Sequence, residues 1–171
     1  ERLKVVYAGS DTHRPDLEQL VPAVLQTLDS VDWVFFGYVP EPLRGRVQHV
    51  PAVPLADYLP TLRRIGAHVG VAPLVSHAFN ECKSNIKILE YGACGMATIA
   101  SPVYPYLESK GLIVKSFRPR EWVRAVEELS DETTRPAVAL SCQEYSRQFL
   151  IDDRRSEVKR AFLGDKGETV D

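Results

Sequence analysis

Residues His68 to Ser101 read HVGVAPLVSHAFNECKSNIKILEYGACGMATIAS. The apolar run His68 to Leu74 reads as a buried strand, and residues 75–82 (VSHAFNEC) read as a loop. Asn85 to Cys94 reads as a helix, with Gly95 where a left-handed C-cap residue belongs. Ala97 to Ala100 (ATIA) reads as the next strand. A strand, a crossover helix and a second strand make the repeating unit of a parallel sheet.

The same alternation extends in both directions. Leu3 to Ala8 (LKVVYA) reads as a strand ending at Gly9-Ser10. Leu17, Leu20, Val21, Val24 and Leu28 recur at helical spacing and predict one helix starting at Pro15. Thr12 or Asp11 is its candidate cap, and Asp16 and Glu18 suit its positive end. Val31 to Val39 is a second strand, Pro40 to Pro42 a connection, and Val47 to Val50 a third strand. Leu55 to Ile65 is a helix with Leu55, Tyr58, Leu59 and Leu62 on one face. Gly111 to Val114 is a sixth strand, and Arg120 to Leu129, Thr134 to Phe149 and Asp152 to Phe162 are helices. Trp33 and Phe35 are expected in the core, and His49 and His68 in structural roles within or beside strands. The fold class that follows is α/β, a doubly wound parallel six-stranded sheet with helices on both faces. One domain is expected over residues 1–163, with a frayed tail from Gly164.

Composition narrows the classes. The 171 residues carry 21 Lys+Arg against 23 Asp+Glu, a net charge of −2, which argues against a nucleic-acid binder resting on global positive charge. No apolar run approaches the roughly 20 residues that span a bilayer. Cys82, Cys94 and Cys142 form no paired spacing, so neither a disulfide framework nor a zinc site is expected, and a reducing, cytoplasmic setting is the simplest reading. The chain opens at Glu1 on what reads as a core strand, which suggests a piece of something longer.

Several chemistries are absent as motifs. The first strand is not followed by GxGxxG, no GxxxxGK[ST] occurs, and there is no GxSxG elbow. In a doubly wound sheet, ligands bind beyond the carboxyl ends of the strands. The loops Gly9 to Arg14 and Val75 to Ser84 are therefore the candidate site. With Ser84 as cap, the amides of Ile86 and Lys87 lie at an anion-binding helix end. Lys83, Lys87 and Glu90 then share one helix face, while Ile86, Leu89 and Ala93 face the core. Two readings of the charged face stand: a diphosphate site with a carboxylate for sugar or ribose hydroxyls, or a solvated, salt-bridged surface.

The stretch 73–101 resembles the C-terminal, nucleotide-sugar-binding half of GT-B glycosyltransferases of the group 1 kind. Pro73, the helix through Glu90, Gly92-Ala93-Cys94-Gly95 and Ile99-Ala100-Ser101 fit the pattern. The first acidic position of the E-x7-E pattern falls on Cys82, a departure. A closer match is a bacterial polysaccharide-biosynthesis subgroup with Phe-Asn-x-x-Lys-Ser-x-x-Lys-x-x-Glu, met here by Phe79, Asn80, Lys83, Ser84, Lys87 and Glu90. Its members also carry a Thr-His after the first strand, matched by Ser10, Thr12 and His13 in YAGSDTHRPDL.

The resemblance implies a metal-independent, hexosyltransferase-like half-enzyme with no cofactor beyond its nucleoside-diphosphate sugar substrate. It implies that Glu90 binds the ribose, that Lys83, Ser84, Lys87 and His13 hold the diphosphate, and that Asn80, Phe79 and Ser10 lie near the donor sugar or its loop. His77 is a further candidate at the sugar, and Val50 to Val53 the segment that holds the base. It also implies an N-terminal acceptor half, which carries the general base and without which this chain is inactive. A lipid-linked or glycan acceptor at the inner face of a membrane is the expected partner. Beside this reading stand a nucleotide-sugar epimerase half and a non-catalytic assembly module.

Overall fold

The computed structural model describes residues 2–150. The expected helix Asp152 to Phe162 and the tail lie outside the described residues. Six parallel strands, β1 (Leu3–Gly9), β2 (Val31–Gly37), β3 (Gln48–Val50), β4 (Val69–Ala72), β5 (Ala97–Ala100) and β6 (Leu112–Ile113), form one sheet. Their order is β3-β2-β1-β4-β5-β6, so the chain runs outward from β1 to one edge and then returns to build the other half from β4. The reversal lies between β1 and β4, where crossover connections leave to opposite sides and a crevice opens at the carboxyl ends.

The strands are short and almost wholly apolar because helices cover both faces. One face buries Val5, Tyr7, Trp33, Phe35, Val71 and Ile99 beneath α1 (Arg14–Glu18), α2 (Val21–Thr27) and α7 (Pro119–Ser130). The other buries Val6, Ala8, Val34, Phe36 and Ala72 beneath α3 (Leu55–Ile65), α5 (Ile86–Ala93) and α6 (Tyr104–Leu107). The last helix, α8 (Thr134–Arg147), packs along α5 and β5. The doubly wound α/β architecture expected from the alternation is the one observed.

Four local expectations are corrected. The single helix from Pro15 is instead a 3-10 turn at Asp11–His13 followed by α1 and α2, and neither Thr12 nor Asp11 caps through its side chain. Pro22 explains the break, since it has no N–H to give to the carbonyl of Glu18 one turn earlier. The loop 75–82 contains a short helix, α4 (Ala78–Glu81), capped by His77, whose Nδ1 accepts from the Phe79 amide at 3.2 Å. Helix α6 is an element the apolar pattern did not single out.

The fourth correction is the phase of α5. Ile88, Tyr91 and Gly92 are its buried residues, whereas Ile86 is 51% exposed and Ala93 is exposed. Asn85, not Ser84, precedes its first turn, with no side-chain cap. The inward stripe is chosen by neighbours. A Cβ on Gly92 would collide with Cys142 and Ser146 of α8, so the missing side chain is what lets the two helices meet. Gly95 adopts φ +78°, the left-handed C-cap read from the sequence.

Candidate functional site

Pairing between β1 and β4 stops at Tyr7 and Val71. Beyond it, the hydroxyl of Tyr91 enters from α5. It accepts from the Ala8 amide at 3.1 Å and donates to the Val71 carbonyl at 3.1 Å, two groups that a continuing parallel ladder would join directly. Gly70 lies against the Tyr91 ring, where a Cβ would clash. The strands are thus held apart at the reversal point by a side chain that satisfies both.

A cavity of about 180 Å³ occupies this crevice. Its floor is Tyr7, Ala8, Val71 and Ala72, and its rim carries His13, Lys83, Ser84, Ile86 and Lys87, with Tyr106 on the α6 side. All four residues expected at a diphosphate therefore line one cavity, with the first turn of α5 opening onto it. The Tyr7 hydroxyl is buried and without a hydrogen-bond partner. Its side chain leans along β1 over Gly9, where a Cβ would collide with the phenol. Burial foremost, and then the Asp16 carboxylate, pushes the Tyr7 phenol well above its ordinary range.

Asp16 organises the rim. The residue is 3% exposed, and its carboxylate accepts from the Val75 amide at 2.9 Å and the Asn80 side-chain amide at 3.0 Å. His13 Nδ1 lies 2.9 Å from its Oδ2, and Lys83 Nζ lies 4.0 Å from the same oxygen. One carboxylate of α1 thereby ties the loop after β1 to the loop after β4. Burial would raise the Asp16 pKa, but the hydrogen bonds from His13 and Val75 and the nearby Lys83 charge outweigh it and hold the carboxyl below its usual range. The sequence reading used Asp16 only as a favourable charge at a helix start. The His13-x-x-Asp16 spacing, one turn apart, was the available signal.

A second group lies along α5. Lys87 Nζ donates to the Tyr58 hydroxyl at 2.8 Å and to Glu90 Oε2 at 3.0 Å, while Tyr58 donates to the same oxygen at 2.9 Å. Tyr58 stacks on Phe36, centroids 5.2 Å apart, which fixes it from the β2 side. Lys87 and Glu90 are thus an ion pair held by a tyrosine of α3, and the Lys83, Lys87 and Glu90 face is neither bare nor simply solvated.

The remaining candidates divide. Asn80 is buried, gives its amide hydrogens to Asp16 and the Val75 carbonyl, and does not line the cavity. Phe79 is 70% exposed, with Lys83 Nζ 5.3 Å from its ring centroid. Ser10 is exposed and shares a 2.7 Å hydrogen bond with Thr12. Cys82, at the C-cap of α4, is exposed and outside the cavity lining. Burial pushes the Cys94 and Cys142 thiols up, against any nucleophilic role. His68 Nδ1 accepts from the Lys4 amide at 3.0 Å, and His49 Nε2 donates to the Gly37 carbonyl at 2.8 Å, both structural bonds. Among the described residues, no group of three His, Cys, Asp or Glu could hold a metal ion, and no helix is long and apolar enough to cross a membrane.

No family model and no curated protein matches the chain. Its backbone is nonetheless shared with known structures. HepE from Anabaena, in complex with UDP and glucose, superposes with a TM-score of 0.76 at 13% identity over 95% of this chain and 48% of its own. A UDP-forming α,α-trehalose-phosphate synthase from Burkholderia xenovorans gives 0.68 at 14% identity, covering 95% of this chain and 44% of its own. The catalytic domain of starch synthase IV from Arabidopsis thaliana, bound to ADP and acarbose, gives 0.67 at 12% identity, covering 95% and 38%. The chain has the Rossmann-like α/β fold of one GT-B half, and spans less than half the length of these structures.

Proposed function

We propose that this chain is the donor-binding half of a glycosyltransferase that moves a sugar from a nucleoside-diphosphate sugar to a hydroxyl acceptor. The observation that carries this reading is the convergence of His13, Lys83, Ser84 and the first turn of α5 on one cavity at the β1–β4 reversal. Cations and a helix N-terminus in a recessed site suit a diphosphate, and suit it better as the bond from the sugar's anomeric carbon to phosphate breaks and negative charge grows on the leaving group. The acceptor oxygen forms the new bond to that carbon, and its proton passes to a base on the acceptor half of the enzyme. At about 180 Å³ the cavity is smaller than the roughly 300–1,000 Å³ of whole ligand pockets, as a half-site would be. Glu90, held by Tyr58 and Lys87 one turn along α5, is the ribose group of this reading. Phe79 and Asn80 of α4 and Ser10 of the loop after β1 are the groups about the donor sugar in this reading, with Asn80 acting through Asp16. Assembly of a polysaccharide or glycoconjugate in the cytoplasm, on a lipid-linked or glycan acceptor, is the setting this chemistry fits.

Ligand-observed NMR with a panel of nucleoside diphosphates and their sugars tests the proposal. Binding of at least one nucleotide is expected, weakened about tenfold or more by Lys83→Ala and by Glu90→Ala. Failure of every nucleotide to bind at millimolar concentration, or indifference to both substitutions, overturns it.

A further inference from the structure

The contact between Asp16 and His13 fixes more than position. Asp16 is ionised, and an ionised carboxylate only accepts hydrogen bonds. The hydrogen in the 2.9 Å contact is therefore on His13 Nδ1, which leaves Nε2 as the ring nitrogen free to serve the cavity that His13 lines. In the neutral ring Nε2 carries a lone pair, which repels a phosphate oxygen, and only the imidazolium offers it a donor.

The charged and titratable groups around the ring come from each side of the cavity. They are Asp16 of α1, Lys83 ahead of α5, Lys87 within α5, and the phenols of Tyr7 and Tyr106. The single negative charge of Asp16 is shared between His13, 2.9 Å away, and Lys83, 4.0 Å away. Lys87 is already committed to Glu90 and Tyr58. A diphosphate entering here adds two negative charges and draws on Lys83, so the local balance turns toward a second proton on His13.

Resting on the donor-site reading above, we propose that Asp16 is a positioning residue that locks His13 in the Nδ1–H tautomer, so that diphosphate binding takes up one proton at His13 Nε2. The proton comes from solvent and forms one N–H bond, and no other bond is broken. Each phosphate of a nucleotide sugar carries one ester and one anhydride bond and a single oxygen that stays ionised through the neutral range, so the ligand itself supplies no competing titration.

The test uses the whole chain and two probes, UDP-glucose and ADP-glucose. Side-chain ¹⁵N spectra of the free protein at alkaline pH are expected to show neutral His13 as the Nδ1–H tautomer. An Nε2–H tautomer overturns the proposal whatever the ligands do. NMR titrations at pH values from about 5.5 to 8.5, spanning the ordinary imidazole range, give the dissociation constants. Affinity is expected to weaken with rising pH across this window, by up to about tenfold per pH unit for the uptake of one proton. His13→Gln is expected to abolish that dependence, and Asp16→Asn to mix the tautomers and flatten it. Should Asp16→Asn fail to fold, His13→Gln carries the test, because its side chain is partly exposed. Binding that is independent of pH overturns the proton uptake and leaves the donor site standing. Binding of neither probe overturns both.

Discussion

The hydroxyls of Tyr7 and Tyr91 lie in one crevice in opposite conditions, the first without a partner and the second with two backbone partners. Removing each by the same chemical step separates the two cases. Tyr7→Phe deletes an unsatisfied buried group, so the empty protein is expected to keep its stability or gain up to about 1 kcal/mol. Tyr91→Phe leaves the Ala8 amide and the Val71 carbonyl unpaired in the interior, at an expected loss of roughly 1–3 kcal/mol. Urea denaturation of the two variants checks this, and equal losses would contradict the hydrogen-bond assignment. Asp16 carries a pH signature of its own. Because its folded pKa is lowered, the stability it contributes is full above the ordinary aspartate value of about 3.9 and is lost as pH falls through the lower folded value. Asp16→Asn should therefore flatten denaturation midpoints measured through that acid range. A part of the acid sensitivity should survive, because Asp131, accepting from the Thr133 and Thr134 hydroxyls and amides at the head of α8, is lowered too.

Helix α5 illustrates which information is local. Its existence and its glycine stop were legible, since an apolar recurrence and Gly95 are properties of the segment itself. Its phase was not. Both Ile86-Leu89-Ala93 and Ile88-Tyr91-Gly92 make a plausible inward stripe. The observed choice rests on the Gly92 contact with α8, some fifty residues later, and on Tyr91 entering beside Gly70. A residue with no side chain and one with a hydroxyl score poorly as core, yet here they are the closest-packed positions. The charged face was legible for a related reason: Lys87 and Glu90 are i,i+3 partners, and only Tyr58, brought by α3, was hidden. Asp16 was read only as a helix-start charge, because its partners Val75 and Asn80 come from the segment after β4, some sixty residues later. Gly92→Ala is expected to cost about 1–3 kcal/mol through overpacking and to shift the α5 backbone resonances around Lys87. An α5 spectrum left unchanged would place the α5–α8 contact elsewhere.

At the scale of the molecule, a net charge of −2 conceals an uneven distribution. His13, Lys83 and Lys87 gather at the carboxyl ends of β1 and β4, while Asp16 and Glu90 stand directly behind them. Lys83 and Lys87 are thus paired with their own counter-charges, Asp16 and Glu90. An anion must compete with those carboxylates and with salt, so nucleotide-sugar affinity is expected to fall by several-fold between about 0.05 and 0.5 M sodium chloride, while the urea midpoint moves little. NMR titration at the two ionic strengths distinguishes this from binding driven by apolar contact. The Tyr91 bridge has one more consequence, for hydrogen exchange. The Ala8 amide of a central strand is protected by a hydroxyl carried on α5, not by β4. Its exchange rate should follow the seating of that helix, slow when α5 is docked and fast when it lifts. A single amide signal thereby becomes a gauge of whether the element bearing Lys87 and Glu90 is in place.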